Sequence, residues 1–374
     1  MIYADNAATS KLDSDAFEAM LPWLQTEYAN ASQAYSFARK PKKAILKARN
    51  IIAQCINALP EEIYFTSGGT ESDNWVIKNF DANIGEEILT SEIEHHAILN
   101  ACKFIERKGI KVSYLPVDTT GTILPSVLNN RISPKTRLVS IMMANNEVGT
   151  IEPIKELAQI VHKHNALFHT DAVQAVGHIP IDVKELNIDM LSASAHKFNG
   201  PKGIGFLYVK KGVDINPLIC GGKQENGIRG GTENIASIVG MAIALKNNYQ
   251  KLAENMSYLR ELEELLIAEL KSANLDFIKN GNQEKIPGNI SLSFKNMSGE
   301  MLLHRMDLMG ICISTGSACD SQTTRISHVI KAINIPEEYA LGTVRISLGK
   351  DNTREEVVQI ANALKKIITS SQKI

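Results

Sequence analysis

The sequence predicts an α/β protein: a large domain with a mostly parallel mixed sheet flanked by helices, plus a smaller α+β domain. Three observations lead there. Between about residues 60 and 210, short apolar runs alternate with amphipathic ones, the texture of a parallel sheet with helices on both faces. After Gly231 that texture gives way to a long helical stripe and then to widely spaced short strands. The 374 residues also exceed one ordinary hydrophobic core, so two folding units are expected. We expect residues 15–250 to form the large domain, and residues 1–14 with 251–374 the small one.

The elements follow in order. Strands are predicted at Ile63–Ser67, Glu87–Thr90, Lys111–Val117, Leu138–Ala144, Leu167–Thr170, Met190–Ser194 and Ile204–Val209, each apolar enough to be buried. Helices are predicted between them at Thr70–Phe80, His96–Lys108 and Ile154–His164. A single long helix is expected from Asn234 to about Lys271, where Leu262, Leu265, Leu266 and Leu270 form a packing stripe. Beyond it we expect strands Asn289–Phe294, Ile311–Ser314 and Val344–Leu348 and helices Gly299–Leu308, Arg325–Ala332 and Thr353–Thr369.

Composition excludes several functions. With 44% apolar and 22% charged residues the chain reads as a globular protein. A net charge of −1 gives no bulk attraction to nucleic acid or to a membrane surface. No apolar run reaches the ~20 residues that span a bilayer, and Met1-Ile-Tyr-Ala-Asp5 does not read as an export signal. The odd count of five cysteines, without a CxxC pair, predicts reduced thiols in the cytoplasm and no zinc site. Cys55, Cys102, Cys220 and Cys312 have apolar neighbours and are expected to be inert. Cys319 lies among small polar residues, and an exposed thiol there would be a liability unless used. His95-His96 and His162-Lys-His164 read as helix-surface residues rather than metal ligands.

Chemistry concentrates at strand ends, where ligands of open α/β sheets bind. One strand delivers Ser194, His196 and Lys197 to a turn; another delivers Asp171. A lysine and a carboxylate so placed suit pyridoxal phosphate, which needs an amine for its aldehyde and an acid for its ring nitrogen. Ser67-Gly-Gly-Thr70 runs from a strand into a helix, a phosphate cradle or an ordinary capped turn. Gln174 and the pair Asn145-Asn146 could reach the cofactor's ring, and His95 could stack on it or move a proton. Arg345, inside an apolar strand, must pair, and its fork fits a substrate carboxylate.

Taken together, in order and spacing, these segments resemble the cysteine desulfurases, which are class V aminotransferase-family proteins of the fold type I pyridoxal phosphate architecture. The resemblance runs from Tyr3-Ala-Asp-Asn-Ala-Ala-Thr9 to Arg345-Ile-Ser-Leu-Gly349. It is carried by Phe65-Thr-Ser-Gly-Gly-Thr-Glu-Ser-Asp-Asn74, Asn145-Asn-Glu-Val-Gly149, His169-Thr-Asp-Ala-Val-Gln174, Ser194-Ala-His-Lys197, Gly230-Gly-Thr-Glu-Asn234 and Ser314-Thr-Gly-Ser-Ala-Cys319. The last segment is similar to the longer-loop group that supplies sulfur for iron–sulfur cluster assembly and tRNA thiolation.

The resemblance implies an enzyme that converts L-cysteine to L-alanine. Lys197 would anchor pyridoxal phosphate and then serve as base at Cα, Asp171 pair with its ring nitrogen, and Gln174 and Asn146 address its oxygen side. His95 would stack on the ring, and Gly69, Thr70, Ser194 and His196 would hold the phosphate. Thr232 would complete the site of a neighbouring subunit in a homodimer. Arg345, with Asn146, would bind the substrate, and Cys319 would take the sulfur as a persulfide for a scaffold protein or tRNA-thiolation enzyme. The chain departs from the family pattern at Asn30-Ala-Ser-Gln-Ala-Tyr35, at Lys223 and Asn226, and at Thr324-Arg325-Ile326. Selenocysteine lysis or another class V reaction is the competing enzymatic reading. A catalytically idle interaction partner is the competing reading of another kind.

Overall fold

The computed structural model describes residues 1–79, 85–315 and 326–371. In chain order the elements are β1 (Ile2–Tyr3), α1 (Ser14–Gln25), α2 (Arg39–Cys55), β2 (Ile63–Thr66), α3 (Gly69–Asn79), β3 (Glu87–Ser91), α4 (His96–Glu106), β4 (Lys111–Leu115), α5 (Pro125–Arg131) and β5 (Thr136–Ser140). Then come α6 (Ile154–Lys163), β6 (Leu167–Asp171), β7 (Met190–Ser194), β8 (Gly205–Val209), α7 (Ile235–Gln250), α8 (Leu252–Ser272), β9 (Phe277–Asn280) and β10 (Asn289–Phe294). The chain continues through α9 (Gly299–Asp307), β11 (Ile311–Cys312), α10 (His328–Ala332), α11 (Glu337–Ala340), β12 (Thr343–Ser347) and α12 (Arg354–Ser371).

Seven strands form one sheet in the order β2-β8-β7-β6-β5-β3-β4. The run from β7 to β4 is parallel, and β8 is antiparallel to both its neighbours. Strands β3, β7 and β8 are buried throughout, as helix cover on both faces requires. The large mostly parallel mixed sheet is therefore as predicted. A second sheet, β12-β10-β9, is antiparallel, and β1 pairs with β11. Its core gathers Leu262, Leu266 and Leu270 of α8 with Ile290, Leu292, Val344, Ile346 and the apolar face of α12.

Two predicted elements differ in instructive ways. The strand expected at Leu138–Ala144 stops at Ser140. Ile141 and Met143 still donate to the His169 and Asp171 carbonyls on the β6 side. On the other side the Met142 N–H goes to the Glu94 carboxylate at 2.9 Å, a side chain standing where a strand would be. The long helix expected from Asn234 to about Lys271 is two helices joined at Lys251 (φ −112°, ψ 16°). The break lets Ile238, Met241 and Leu245 of α7 enter the large core while the leucines of α8 enter the small one. Asn234 stands outside as the N-cap, accepting the Ser237 N–H at 3.2 Å. The helix expected at Arg325–Ala332 begins, among the described residues, at His328. Helices α1 and α2, strand β9 and short α5 had not been expected.

Candidate active site

The carboxyl ends of β6 and β7 and the start of α3 meet in a cavity of about 260 Å³. Lys197 sits in the single 3₁₀ turn that ends β7. Its ammonium donates to the carbonyls of Ala7 (2.6 Å) and Ala8 (2.8 Å), contributed by the N-terminal segment. Asp171, the last residue of β6, is buried and accepts the Val173 N–H at 2.9 Å. Burial holds its carboxyl above the ordinary range, against the pull of that amide and of the Lys197 charge. A buried acid short of partners is what a cationic ring nitrogen would satisfy.

At the other end, α3 opens on Gly69 and Thr70, with Ser194 and His196 beside them. Free N–H groups at the start of an eleven-residue helix favour an anion. The glycines there are required by space: a side chain on Gly69 would collide with Val173. Gly205 on β8 is just as confined, since a Cβ would run into the Ala193 carbonyl oxygen and Gly68 Cα beneath the cradle. We therefore expect Gly205→Ala to lower stability by about 1–3 kcal/mol, as overpacking does, and to displace Gly68. Urea denaturation with and without pyridoxal phosphate measures both effects. An unchanged midpoint would show that the backbone has room to relax.

His95 caps α4, its Nδ1 accepting the Ala97 N–H at 3.1 Å. The neutral ring therefore carries its proton on Nε2. Burial first, then the Lys197, His96 and His328 charges, push it down to about 4, so it is neutral at physiological pH. Burial first, then the Lys197 and Lys202 charges, push His196 down to about 4, with its Nδ1 3.1 Å from the Thr9 hydroxyl. Gln174 donates to the Ala7 carbonyl at 3.0 Å. The two asparagines divide their tasks. Asn145 braces the turn, accepting from the N–H groups of Glu147 and Val148, while Asn146 lines the cavity. Arg345 closes the rim, only 3% exposed, bonded to Asp5 (2.7 Å) and to the Asn146 carbonyl (2.8 Å). Its Nε–H has no partner among the described residues.

The structure thus gathers Lys197, Asp171, Gln174, Asn146, His95, Gly69, Thr70, Ser194, His196 and Arg345 around one cavity. Thr232 is not in it. It is exposed, on a loop held by the Arg229–Glu71 pair (2.9 Å) and the Arg49–Glu225 pair (2.7 Å). Cys319 lies outside the described residues, as do Thr324 and Arg325. Sequence reasoning missed the carbonyls of Ala7 and Ala8, and Asp73, His96 and His328, all of which line the cavity. It also misplaced one side chain. Cys220 is exposed, its apolar neighbour Leu218 turning inward without it. His162 is held by Asp189 at 2.7 Å and by Asn187.

The family model for class V aminotransferases matches residues 2–360. The chain belongs to that family. Among class V proteins it is 46% identical over 371 residues to the cysteine desulfurase IscS of Dictyoglomus turgidum, covering 98% of this chain and 94% of the relative. It is 44% identical over 370 residues to the cysteine desulfurase IscS of Methanosarcina thermophila, covering 98% and 92%. A solved NifS-like protein superposes on this class V chain with a TM-score of 0.92 at 38% identity, covering 98% of this chain and 99% of the other. SspA, solved in complex with cysteine, gives 0.83 at 35% identity over 94% and 100%. The fold is that of the fold type I enzymes named from the motifs.

Proposed function

We propose that this chain is a pyridoxal phosphate-dependent cysteine desulfurase. It converts L-cysteine to L-alanine and passes the sulfur, held as a persulfide on Cys319, to an acceptor protein of iron–sulfur cluster assembly or tRNA thiolation. The observation that carries this is the meeting of Lys197, Asp171 and Arg345 at one cavity. The lysine can anchor an aldehyde, the acid can hold a ring nitrogen, and the arginine can bind a carboxylate. Work in the cytoplasm fits an odd set of thiols.

Pyridoxal phosphate, when bound, supplies an aldehyde for the substrate amine and a sink for the electrons left at Cα. The residues supply the rest. Gly69, Thr70, Ser194 and His196 hold the phosphate. Asp171 keeps a proton on the ring nitrogen. Once free, the Lys197 amine takes the Cα proton, and the Ala7 and Ala8 carbonyls receive the resulting ammonium where they already hold it. Positioned acid–base help of this kind contributes ~10²–10⁴ in rate. Neutral His95 offers Nε2–H to the substrate sulfur; to move a thiol proton in the other direction, it must first be relieved of that hydrogen. The Cys319 thiolate then attacks that sulfur. The new S–S bond forms as C–S breaks, its electron pair goes to Cβ, and protonation at Cβ and return of a proton from Lys197 to Cα complete L-alanine. Thr232, exposed on its braced loop, serves the phosphate of a second copy in a homodimer.

Incubating the pyridoxal phosphate-loaded protein with L-cysteine and a reductant tests this, with L-alanine and sulfide expected in equal amounts. Turnover of L-selenocysteine alone, surviving Cys319→Ala, would establish the lyase reading instead. Arg345→Lys keeps the charge and loses the fork. It should raise KM for L-cysteine about tenfold or more and leave kcat within a few-fold, because the contact binds ground and transition states alike. An unchanged KM would remove Arg345 from the substrate.

A further inference from the structure

Behind Asp171 stands a carboxyl that this chemistry leaves unused. Asp73, on α3 one turn beyond the phosphate cradle, is 1% exposed and lines the cavity. Its Oδ1 has no hydrogen-bond partner among the described residues. The Ser192 hydroxyl of β7 lies within reach of the carboxyl, and that hydroxyl is also 3.0 Å from His169 Nε2. His169, on β6, is 3.9 Å from Asp73 Oδ1, but burial pushes its imidazole down to about 3, so it is neutral and no counter-ion. The other titratable groups acting on Asp73 are acids: Asp171 on β6, and Glu94 from the corner before α4, itself pushed up to about 8 by burial. Burial and these two neighbours hold Asp73 well above the ordinary carboxylate range. A buried acid at a cavity that also holds Lys197 and Arg345, but with acids as the titratable groups acting on it, lacks a cation at its own side.

We propose that Asp73 is a positioning residue for the cofactor's ring nitrogen, the second carboxyl of a two-acid end that a cationic ring completes. Without the cofactor, burial and the neighbouring acids favour the protonated Asp73 carboxyl. With a protonated ring at Asp171, ionised Asp73 gains a counter-charge, and its proton goes to solvent. Asp73 thereby biases the site toward the cationic form of the ring while Asp171 makes the contact. This rests on the pyridoxal phosphate reading above.

The test compares wild type with Asp73→Asn over a pH series, using thermal melting of the cofactor-free protein and the dissociation constant for pyridoxal phosphate. A carboxyl whose folded-state pKa is raised binds its proton more tightly when folded, so wild-type stability falls as pH climbs through that window. Cofactor-free Asp73→Asn should therefore melt above wild type, by a margin that widens as pH rises above the ordinary carboxylate range. Saturating pyridoxal phosphate should narrow the margin. The dissociation constant of the variant relative to wild type should rise over the same range, tenfold for each unit by which the cofactor moves the Asp73 titration. A margin and a ratio both flat with pH would overturn the proposal and leave Asp73 a packing residue. Asp73→Ser serves if Asp73→Asn does not fold. Failure of wild type to bind pyridoxal phosphate would sink the functional reading itself, whereas normal wild-type binding with flat profiles would sink only Asp73.

Discussion

Lys197→Ala should abolish L-alanine formation, with a loss of at least about 10⁴-fold, since on the proposed mechanism one substitution removes both the cofactor's anchor and the base at Cα. The fold should survive. Lys197 is half-buried, and its departure takes a donor from the Ala7 and Ala8 carbonyls, of which Ala7 keeps Gln174, at about 1–3 kcal/mol if the Ala8 oxygen stays dry. Steady-state L-alanine production, alongside a thermal melt, separates the two effects. Retention of a tenth of wild-type activity would mean that another group takes the Cα proton.

Asp171→Asn should cut turnover by about 10²–10³, the scale for losing one preorganised charge contact in a dry site. Its effect on stability should run the other way. Burial raises the Asp171 pKa above its unfolded value. The folded protein therefore holds that proton more tightly, and stability is lost as pH rises out of the ordinary carboxylate range toward neutrality. Asparagine can still accept the Val173 N–H and never ionises, so the cofactor-free variant should melt above wild type at neutral pH. That combination, slower yet more stable, marks a charge kept for function. A variant less stable than wild type at neutral pH would show that the Asp171 carboxylate is already compensated within the protein.

The parts of this site that the sequence reveals are those with local signals. Lys197, Asp171 and the Gly68-Gly69-Thr70 turn each end or follow a buried strand, and apolar runs make strand ends visible. Contacts that join distant segments were not legible. The Arg345 need for a partner could be read from its apolar strand, but not that Asp5, 340 positions away, would meet it. The Lys197 seat is made of backbone carbonyls at Ala7 and Ala8, which carry no side-chain signal. Asp73 lay in plain view inside a quoted motif, yet an acid in the first turns of a helix reads as a favourable end charge until its burial is known.

The same distinction holds for the fold. Periodicity found the helical stripe beyond Asn234 but not its break at Lys251, because both halves are apolar and only the two cores tell them apart. Nor could it see Glu94 ending β5, a side chain doing what a neighbouring strand would have done. Helix α2 was legible in principle, since Ile45, Ala48 and Ile52 share one buried face.

The measurement closest to the central claim is intact-mass analysis of Cys319 after the pyridoxal phosphate-loaded protein meets L-cysteine without reductant. One added sulfur, about 32 Da, on the peptide bearing Cys319, matched by one L-alanine per site and absent in Lys197→Ala, is the expected result. L-alanine formed with no sulfur added to Cys319 would contradict it.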